Sequence, residues 1–181
     1  MIKLKSGNAK LHKSIGVFNI PAGQETCNRE CQGCYAIKAQ KRFPVVLASR
    51  QRNLEASRTS SFEVDTGKYK MVRIHEAGDF YEQDYVNKWV HIAKANPGKI
   101  FYAYTKRMAD FDFSEMLGLP NFVLHNSLLD DSRVNYSKRP EELGSGFICP
   151  DTLGEDVKCG LTCTWCMQKQ NQGIPILFKM H

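Results

Sequence analysis

The chain has 181 residues, 42% of them hydrophobic and 24% charged, with a net charge of +6. That is the make-up of an ordinary globular protein, with room for a single α/β domain over residues 1–181 and no low-complexity tract. No apolar run approaches the roughly 20 residues that span a bilayer, and the opening MIKLKSGNAKLHK has no apolar leader, so a cytoplasmic protein with no membrane partner is expected.

Strand and helix signals alternate along the chain. IGVFNI (15–20) is a short apolar run closed by Pro21-Ala22-Gly23, a strand followed by a turn. CYAIKAQKRF (34–43) and VVLASRQRNLEAS (45–57) read as helices, with Pro44 placed to open the second. KMVRIHEAGDF (70–80) reads as a strand ending in a Gly-Asp turn. EQDYVNKWVHIAKANPG (82–98) is an amphipathic helix with Tyr85, Val86, Trp89, Ile92 and Ala93 on one face and Asn96-Pro97-Gly98 as its stop. KIFYAYT (99–105) and NFVLHNSL (121–128) are strands flanking a short helical segment, DFSEMLG. Further on, GFIC (146–149) and IPILFKM (174–180) are short strands and LTCTWCMQKQ starts a helix. Strands separated by helices imply right-handed βαβ crossovers and a mostly parallel sheet, with ligands gathered beyond the carboxyl ends of the strands.

The seven cysteines fall in two runs. Cys27, Cys31 and Cys34 have the spacing C-x3-C-x2-C directly after the first strand. Cys159, Cys163 and Cys166 repeat that spacing near the end of the chain, with Cys149 ten residues ahead. In a reducing compartment such clusters bind metal or do chemistry more often than they form disulfides, and an odd count fits a disulfide framework poorly. Seven thiolates make one four-cysteine site and one three-cysteine site with a metal position left open. A second zinc tetrahedron would need an eighth ligand, and none of His12, His75, His91, His125 or His181 sits beside a cysteine at finger-like spacing. The tally favours iron–sulfur, with one or two 4Fe–4S clusters on Cys27, Cys31, Cys34, Cys149, Cys159, Cys163 and Cys166.

The strings IGVFNIPAGQETC…CYAIKAQKRFPVVLASRQRNLE, VRIHEAGDF…YVNKWVHIAKANP and FYAYTKR, followed by CP and a terminal cysteine cluster, resemble the phage gene-product-eighty-eight family over about residues 14–170. A more distant similarity runs to the radical S-adenosylmethionine superfamily, through the cysteine loop and the βα order. That similarity implies a partial-barrel core and a cluster on Cys27, Cys31 and Cys34 whose open iron binds S-adenosylmethionine for radical chemistry. It also puts Gly78 and Asp79 where those enzymes contact the methionine end of the cofactor. Where the superfamily usually has an aromatic residue before the third cysteine, this chain has Gly33. An electron donor and the cytoplasm of a phage-infected host cell are implied with it.

Two other classes stay open: an electron-transfer or redox-sensing protein with every iron ligated by protein, and a zinc-stabilised module binding nucleic acid. Individual residues carry alternatives as well. His75 is a site residue or a hydrogen-bonded interior histidine. Asp79 touches a ligand or caps the next helix. The aromatics of FYAYTKR are core residues or a base-stacking platform. Lys38, Lys41, Arg42, Arg50 and Arg52 grip the phosphates of a nucleic acid or nucleotide, or form a solvated helix face. Lys106 and Arg107, just beyond a strand end, are the better candidates for an anionic ligand.

Overall fold

All four residues of Ile15–Phe18 are buried, the pattern of a strand covered on both faces. In the computed structural model, which describes residues 1–28, 31, 33–127, 133–134, 146–174 and 176–179, this strand sits inside a five-stranded sheet. The elements run β1 (Ile2–Lys3), β2 (Lys5–Ser6), β3 (Ile15–Phe18), α1 (Gln24–Cys27), α2 (Tyr35–Arg42), α3 (Pro44–Ser57), β4 (Val64–Asp65), β5 (Met71–Ile74) and α4 (Gln83–Lys94). Then follow β6 (Ile100–Thr105), α5 (Ser114–Gly118), β7 (Phe122–Asn126), β8 (Arg133–Val134), β9 (Phe147–Ile148) and β10 (Ile176–Lys179). The main sheet has the order β2-β3-β5-β6-β7. β2 pairs antiparallel with β3, and every later neighbour is parallel. The protein is therefore α/β with a mostly parallel sheet, as the alternation of strand and helix predicts.

The two faces of the sheet are closed differently. Phe18, Val72, Ile74, Phe101, Ala103, Phe122 and Leu124 point to the face covered by Leu54 of α3, by Tyr85, Val86 and Trp89 of α4, and by Met116 of α5. Trp89 is fully buried, and its ring meets Phe18 edge-on at 5.1 Å. The alternate residues Ile15, Val17, Tyr102 and Val123 face the other way, against Leu11 and Met167. That second face is covered by the C-terminal stretch carrying the second cysteine run.

Several boundaries differ from the sequence reading. β5 stops at Ile74 and does not reach residue 80. His75 has φ +66, a left-handed turn that breaks the strand. The Asn19 side-chain oxygen accepts the Glu76 and Ala77 N–H groups at 2.7 and 3.0 Å, which gives the loop its own hydrogen bonds. α4, by contrast, ends at Lys94 directly ahead of the stop read at Asn96-Pro97-Gly98, and the Asn96 side chain donates back to the Ile92 carbonyl. LTCTWCMQKQ is two short 3-10 turns, Trp165–Met167 and Lys169–Asn171, in place of a helix. There the Asn171 amide bonds the Trp165 carbonyl, and the Trp165 ring lies flat on Phe147 at 4.1 Å. Leu128 of the strand read at 121–128, and Pro175 and Met180 of the one read at 174–180, lie outside the described residues. The N-terminal strand β1, its partner β4, and α1 have no counterpart in the sequence reading.

Candidate functional site

The first cysteine run is set by the chain leaving β3. Gly23, at φ +137, opens α1, and the Cys27 N–H closes back on the Gly23 carbonyl at 2.9 Å. Thr26 is buried, its hydroxyl donating to the Pro21 carbonyl. Cys27 therefore ends a pinned turn, and burial pushes its thiol up, with Asp79 and Cys34 adding to the push. Cys34 occupies the N-cap position of α2, and its N–H reaches the Cys31 carbonyl at 3.3 Å. Lys106, at the end of β6, brings Nζ within 3.1 Å of Cys31 Sγ. The loop thus meets the carboxyl end of the sheet, where the βα order predicts a site.

Asp79 is the anchor beneath that loop. It is 5% exposed, and its carboxylate accepts the Thr105 hydroxyl at 2.7 Å, the Lys106 N–H at 2.9 Å and the Phe80 N–H at 2.8 Å. Burial raises its pKa despite those bonds. It does not cap α4, whose N-cap is Glu82. Gly78, at φ +85, presses on Ile20 and the carbonyls of Ile20 and Pro21, where a Cβ would stand 2.3 Å from Ile20 Cγ1. Gly78 and Asp79 together clamp the β5 loop to the loop after β3 and to the start of the Lys106 segment. His75 is the interior histidine of its two readings, 3% exposed with Nε2 2.8 Å from the Tyr85 hydroxyl. Arg107 bonds the Asp110 carboxylate at 2.7 Å and the Thr26 carbonyl at 3.3 Å, tying the far side of the same loop.

The second run lies across the other face. Cys159 bridges Leu11 and Cys163 through its backbone. The His12 N–H donates to the Cys159 carbonyl at 2.8 Å, and the Cys159 N–H to the Lys10 carbonyl at 3.1 Å. Gly160, at φ +84, packs against Ile15 and Met71, so the turn can approach the sheet only without a side chain. Cys149 is 6% exposed, and its N–H pairs with the Leu177 carbonyl of β10. The Cys166 carbonyl meets His125 Nε2 at 2.9 Å.

The four C-terminal thiols share one neighbourhood. Burial raises the Cys166 pKa to about 11, with Cys149, Cys163 and Cys159 adding to the shift. Burial likewise raises Cys159, where Cys149 and Cys163 push further and Lys10 pulls back. All seven cysteines are free thiols. Among the described residues, no three His, Cys, Asp or Glu side chains converge closely enough to grip an ion as they stand.

Sequence reasoning missed the polar residues on the sheet face beneath the second run. Arg73 of β5 lies with its guanidinium 4.9 Å from the Tyr104 ring and 5.7 Å from the Tyr102 ring. Both tyrosines come from FYAYTKR and belong to this packed face, in keeping with the core reading of those aromatics. A charged residue inside the apolar run MVRI was the available signal. The basic residues after the first loop take the other course: Lys38, Lys41, Arg42 and Arg52 are exposed on α2 and α3. Arg50 instead turns inward and donates to the Ala36 carbonyl and the Gln40 side chain.

Among the described residues, no helix is long and apolar enough to cross a membrane. No solved structure matches the chain significantly. The "Gene 88 protein" of Mycobacterium phage L5 is 27% identical over 172 residues, covering 82% of this chain and 70% of that protein. Residues 2–167 match the profile of the family described as Gene product 88. The chain belongs to the Gene product 88 family.

Proposed function

We propose that this protein carries iron–sulfur chemistry on its two cysteine runs. Cys149, Cys159, Cys163 and Cys166 form a full four-thiolate site for a 4Fe–4S cluster, and Cys27, Cys31 and Cys34 form a three-thiolate site. One observation carries this proposal: the C-terminal run is folded onto one patch of the sheet, where Cys149, Cys159 and Cys163 all act on Cys166. Cys159 pairs with Cys163 through its backbone and packs into the same cluster as Tyr104, on which the His125 ring that holds the Cys166 carbonyl is stacked. Donor type and number suit thiolate-ligated iron, which takes four cysteines per cluster. Metal, when bound, would be held by these four thiols, and the turns bearing them have the short loop spacing this requires.

The first run is incomplete by one ligand, and S-adenosylmethionine is the candidate for the open position. Bound there, it would supply a carbon radical on one-electron reduction. The chain's own part is geometry and charge. Asp79 fixes the backbone of Lys106, and Lys106 sets a cation beside Cys31. The chain-ordered parallel neighbours β3, β5, β6 and β7, with helices packed on one face, agree with a partial-barrel core of the radical S-adenosylmethionine type. A cytoplasmic location and an external electron donor go with that chemistry.

The test is anaerobic purification of the full chain with iron, acid-labile sulfide and zinc analysis. Iron with sulfide and broad absorbance near about 400 nm is the expected result. Stoichiometric zinc without sulfide, in protein expressed with ample iron, sinks the proposal. Cys163→Ala should lower iron content and the melting temperature together. S-adenosylmethionine should alter the reduced protein's paramagnetic resonance spectrum, and a spectrum unmoved at saturation would assign the protein to electron transfer.

A nucleic-acid partner is favoured by a separate observation. Residues 31–54 carry five basic side chains and no acidic one. On that surface Arg42 lies 5.3 Å from the Phe43 ring, which is 47% exposed, so cation and aromatic are offered together.

A further inference from the structure

On the sheet face beneath the second cysteine run, two buried hydrogen-bonding atoms have no partner in good bonding geometry among the described residues, Arg73 Nε and the Tyr102 hydroxyl, although the guanidinium lies close enough to act on that hydroxyl. Tyr102 is 1% exposed; Arg73 is half-buried, its Nε wholly so. A guanidinium is always charged, and leaving such donors dry and unpaired costs about 1–3 kcal/mol each. Among the described residues no carboxylate makes an ion pair with Arg73. Tyr102 and Tyr104 present their rings to it, and the Glu76 carboxylate acts on it only from beyond ion-pair distance. A charge held this way calls for an acceptor at bonding distance.

The C-terminal sulfurs are acceptors on the same face, and the Arg73 charge is felt at Cys159. Cys159 packs into the same cluster as Tyr102 and Tyr104. Cys166 is tied through its carbonyl to His125, whose ring stacks on Tyr104 at 5.1 Å. Four thiolates outweigh the charge of a divalent ion or a doubly positive cluster core, so the loaded site is anionic and half-buried. Lys10, which also acts on Cys159, already pairs with Asp151 at 2.6 Å. Among the described residues Arg73 makes no such ion pair, and it is free to balance the site.

We infer that Arg73 is the countercharge of the C-terminal cysteine site and that Arg73 and Tyr102 donate hydrogen bonds to its sulfurs. The inference rests on the metal-bearing role proposed for Cys149, Cys159, Cys163 and Cys166. Arg73 acts there as a positioning and tuning residue: a nearby cation and sulfur-directed donors stabilise added negative charge, so they raise the reduction potential and slow metal loss.

The experiment compares full-length wild type with Arg73→Met, Arg73→Lys and Tyr102→Phe after anaerobic purification. It reads metal and sulfide content, reduction potential by spectroscopic titration, and the rate of metal loss to a chelator. Arg73→Met should shift the potential to more negative values and speed chelator loss by about tenfold, the scale of outer-shell effects on metal sites. Arg73→Lys should recover part of both, and Tyr102→Phe should move both the same way by less. If Arg73→Met fails to fold, Arg73→Lys and Tyr102→Phe decide alone. Loaded variants with wild-type potential and chelator rate overturn the countercharge role while leaving the cysteine site standing. A wild type that holds zinc in place of iron sinks the iron–sulfur proposal, yet chelator loss still decides the role of Arg73. A wild type without either metal overturns both.

Discussion

Acidification should destabilise this protein chiefly through His75, and the size of the effect follows from its surroundings. The ring is 3% exposed, and burial together with the Arg73 charge lowers its pKa from 6.5 to about 3. Above pH 6.5 the ring is neutral in both folded and unfolded chains, and it adds no pH dependence there. Below that, the unfolded chain takes up a proton that the native state refuses until about pH 3, so stability falls as pH falls through this window. The gap between 6.5 and about 3, at about 1.4 kcal/mol per pH unit, comes to about 5 kcal/mol, of which about 2 kcal/mol is lost by pH 5. That is a large share of a stability of roughly 5–15 kcal/mol. The control is His75→Asn, because asparagine tolerates the left-handed backbone at φ +66 and does not titrate. Urea unfolding of both proteins between pH 7.5 and 4.5 reads the difference, and the carboxylates and thiols they share cancel. The variant should start less stable, having lost the Tyr85 contact, and should then lose about 2 kcal/mol less than wild type by pH 5. Parallel pH profiles would refute the reasoning.

Gly78→Ala should cost about 2–4 kcal/mol, combining a left-handed backbone at φ +85 with a Cβ driven to 2.3 Å from Ile20 Cγ1; an unchanged urea midpoint would overturn this. In metal-free protein at pH 8, Cys166, with its pKa at about 11, presents only about one thiolate in a thousand. Mass-spectrometric footprinting with iodoacetamide should find it modified at least about a hundredfold more slowly than an exposed thiol, and equal rates would contradict the buried environment. If the α2–α3 face binds single-stranded nucleic acid, Arg42→Ala with Arg52→Ala should weaken binding of a labelled oligonucleotide several-fold. The same pair should reduce the salt slope by about 1.4, as expected for two lost phosphate contacts on a single strand. An unchanged slope would mean that the basic face is only solvated.

The alternation of strands and helices was legible because each element carries its own local signal. Apolar runs with turn residues mark β3, β6 and β7. The spacing of Tyr85, Val86, Trp89 and Ile92 marks α4, and Pro44 marks the start of α3. The errors came where side chains outvote the backbone's local preference. VRIHEAGDF looks like one strand, yet Asn19, fifty-seven residues before Glu76, captures the loop's N–H groups and ends it at Ile74. The C-terminal run reads as a helix start. Long-range contacts hold it in short turns instead: Trp165 on Phe147, and Lys169 on the Leu117 and Phe122 carbonyls. Cysteine spacing announced the two runs, with Cys149 read alongside the second, but not that Lys106 reaches Cys31 of the first. That meeting depends on which strands are neighbours, and no local pattern encodes that.

The difference between the two sheet faces bears directly on how metal and fold would be coupled. On the helix face, long apolar side chains close the core without help: Trp89, Tyr85, Phe101 and Phe122 are all fully buried. On the other face the covering stretch from 158 to 172 has no regular helix and few buried apolar groups, Met167 being the main one. Its remaining grip is polar: Lys169 on two carbonyls, Asn171 on the Trp165 carbonyl, and Cys166 on His125. A segment so held gains most from ligands that cross-link its turns, and three of the cysteines proposed to bind metal lie in it. Stripping that metal should therefore loosen one face and spare the other. Far-ultraviolet dichroism would change little, because the helices and main sheet persist. Trp165, stacked on Phe147 at 4.1 Å, would lose its fixed environment, while Trp89 would keep its own. With Trp165→Phe as the control, a chelator-induced change in tryptophan emission should vanish in the variant. If it persists there, the helix face is opening too, and the two faces are not independent.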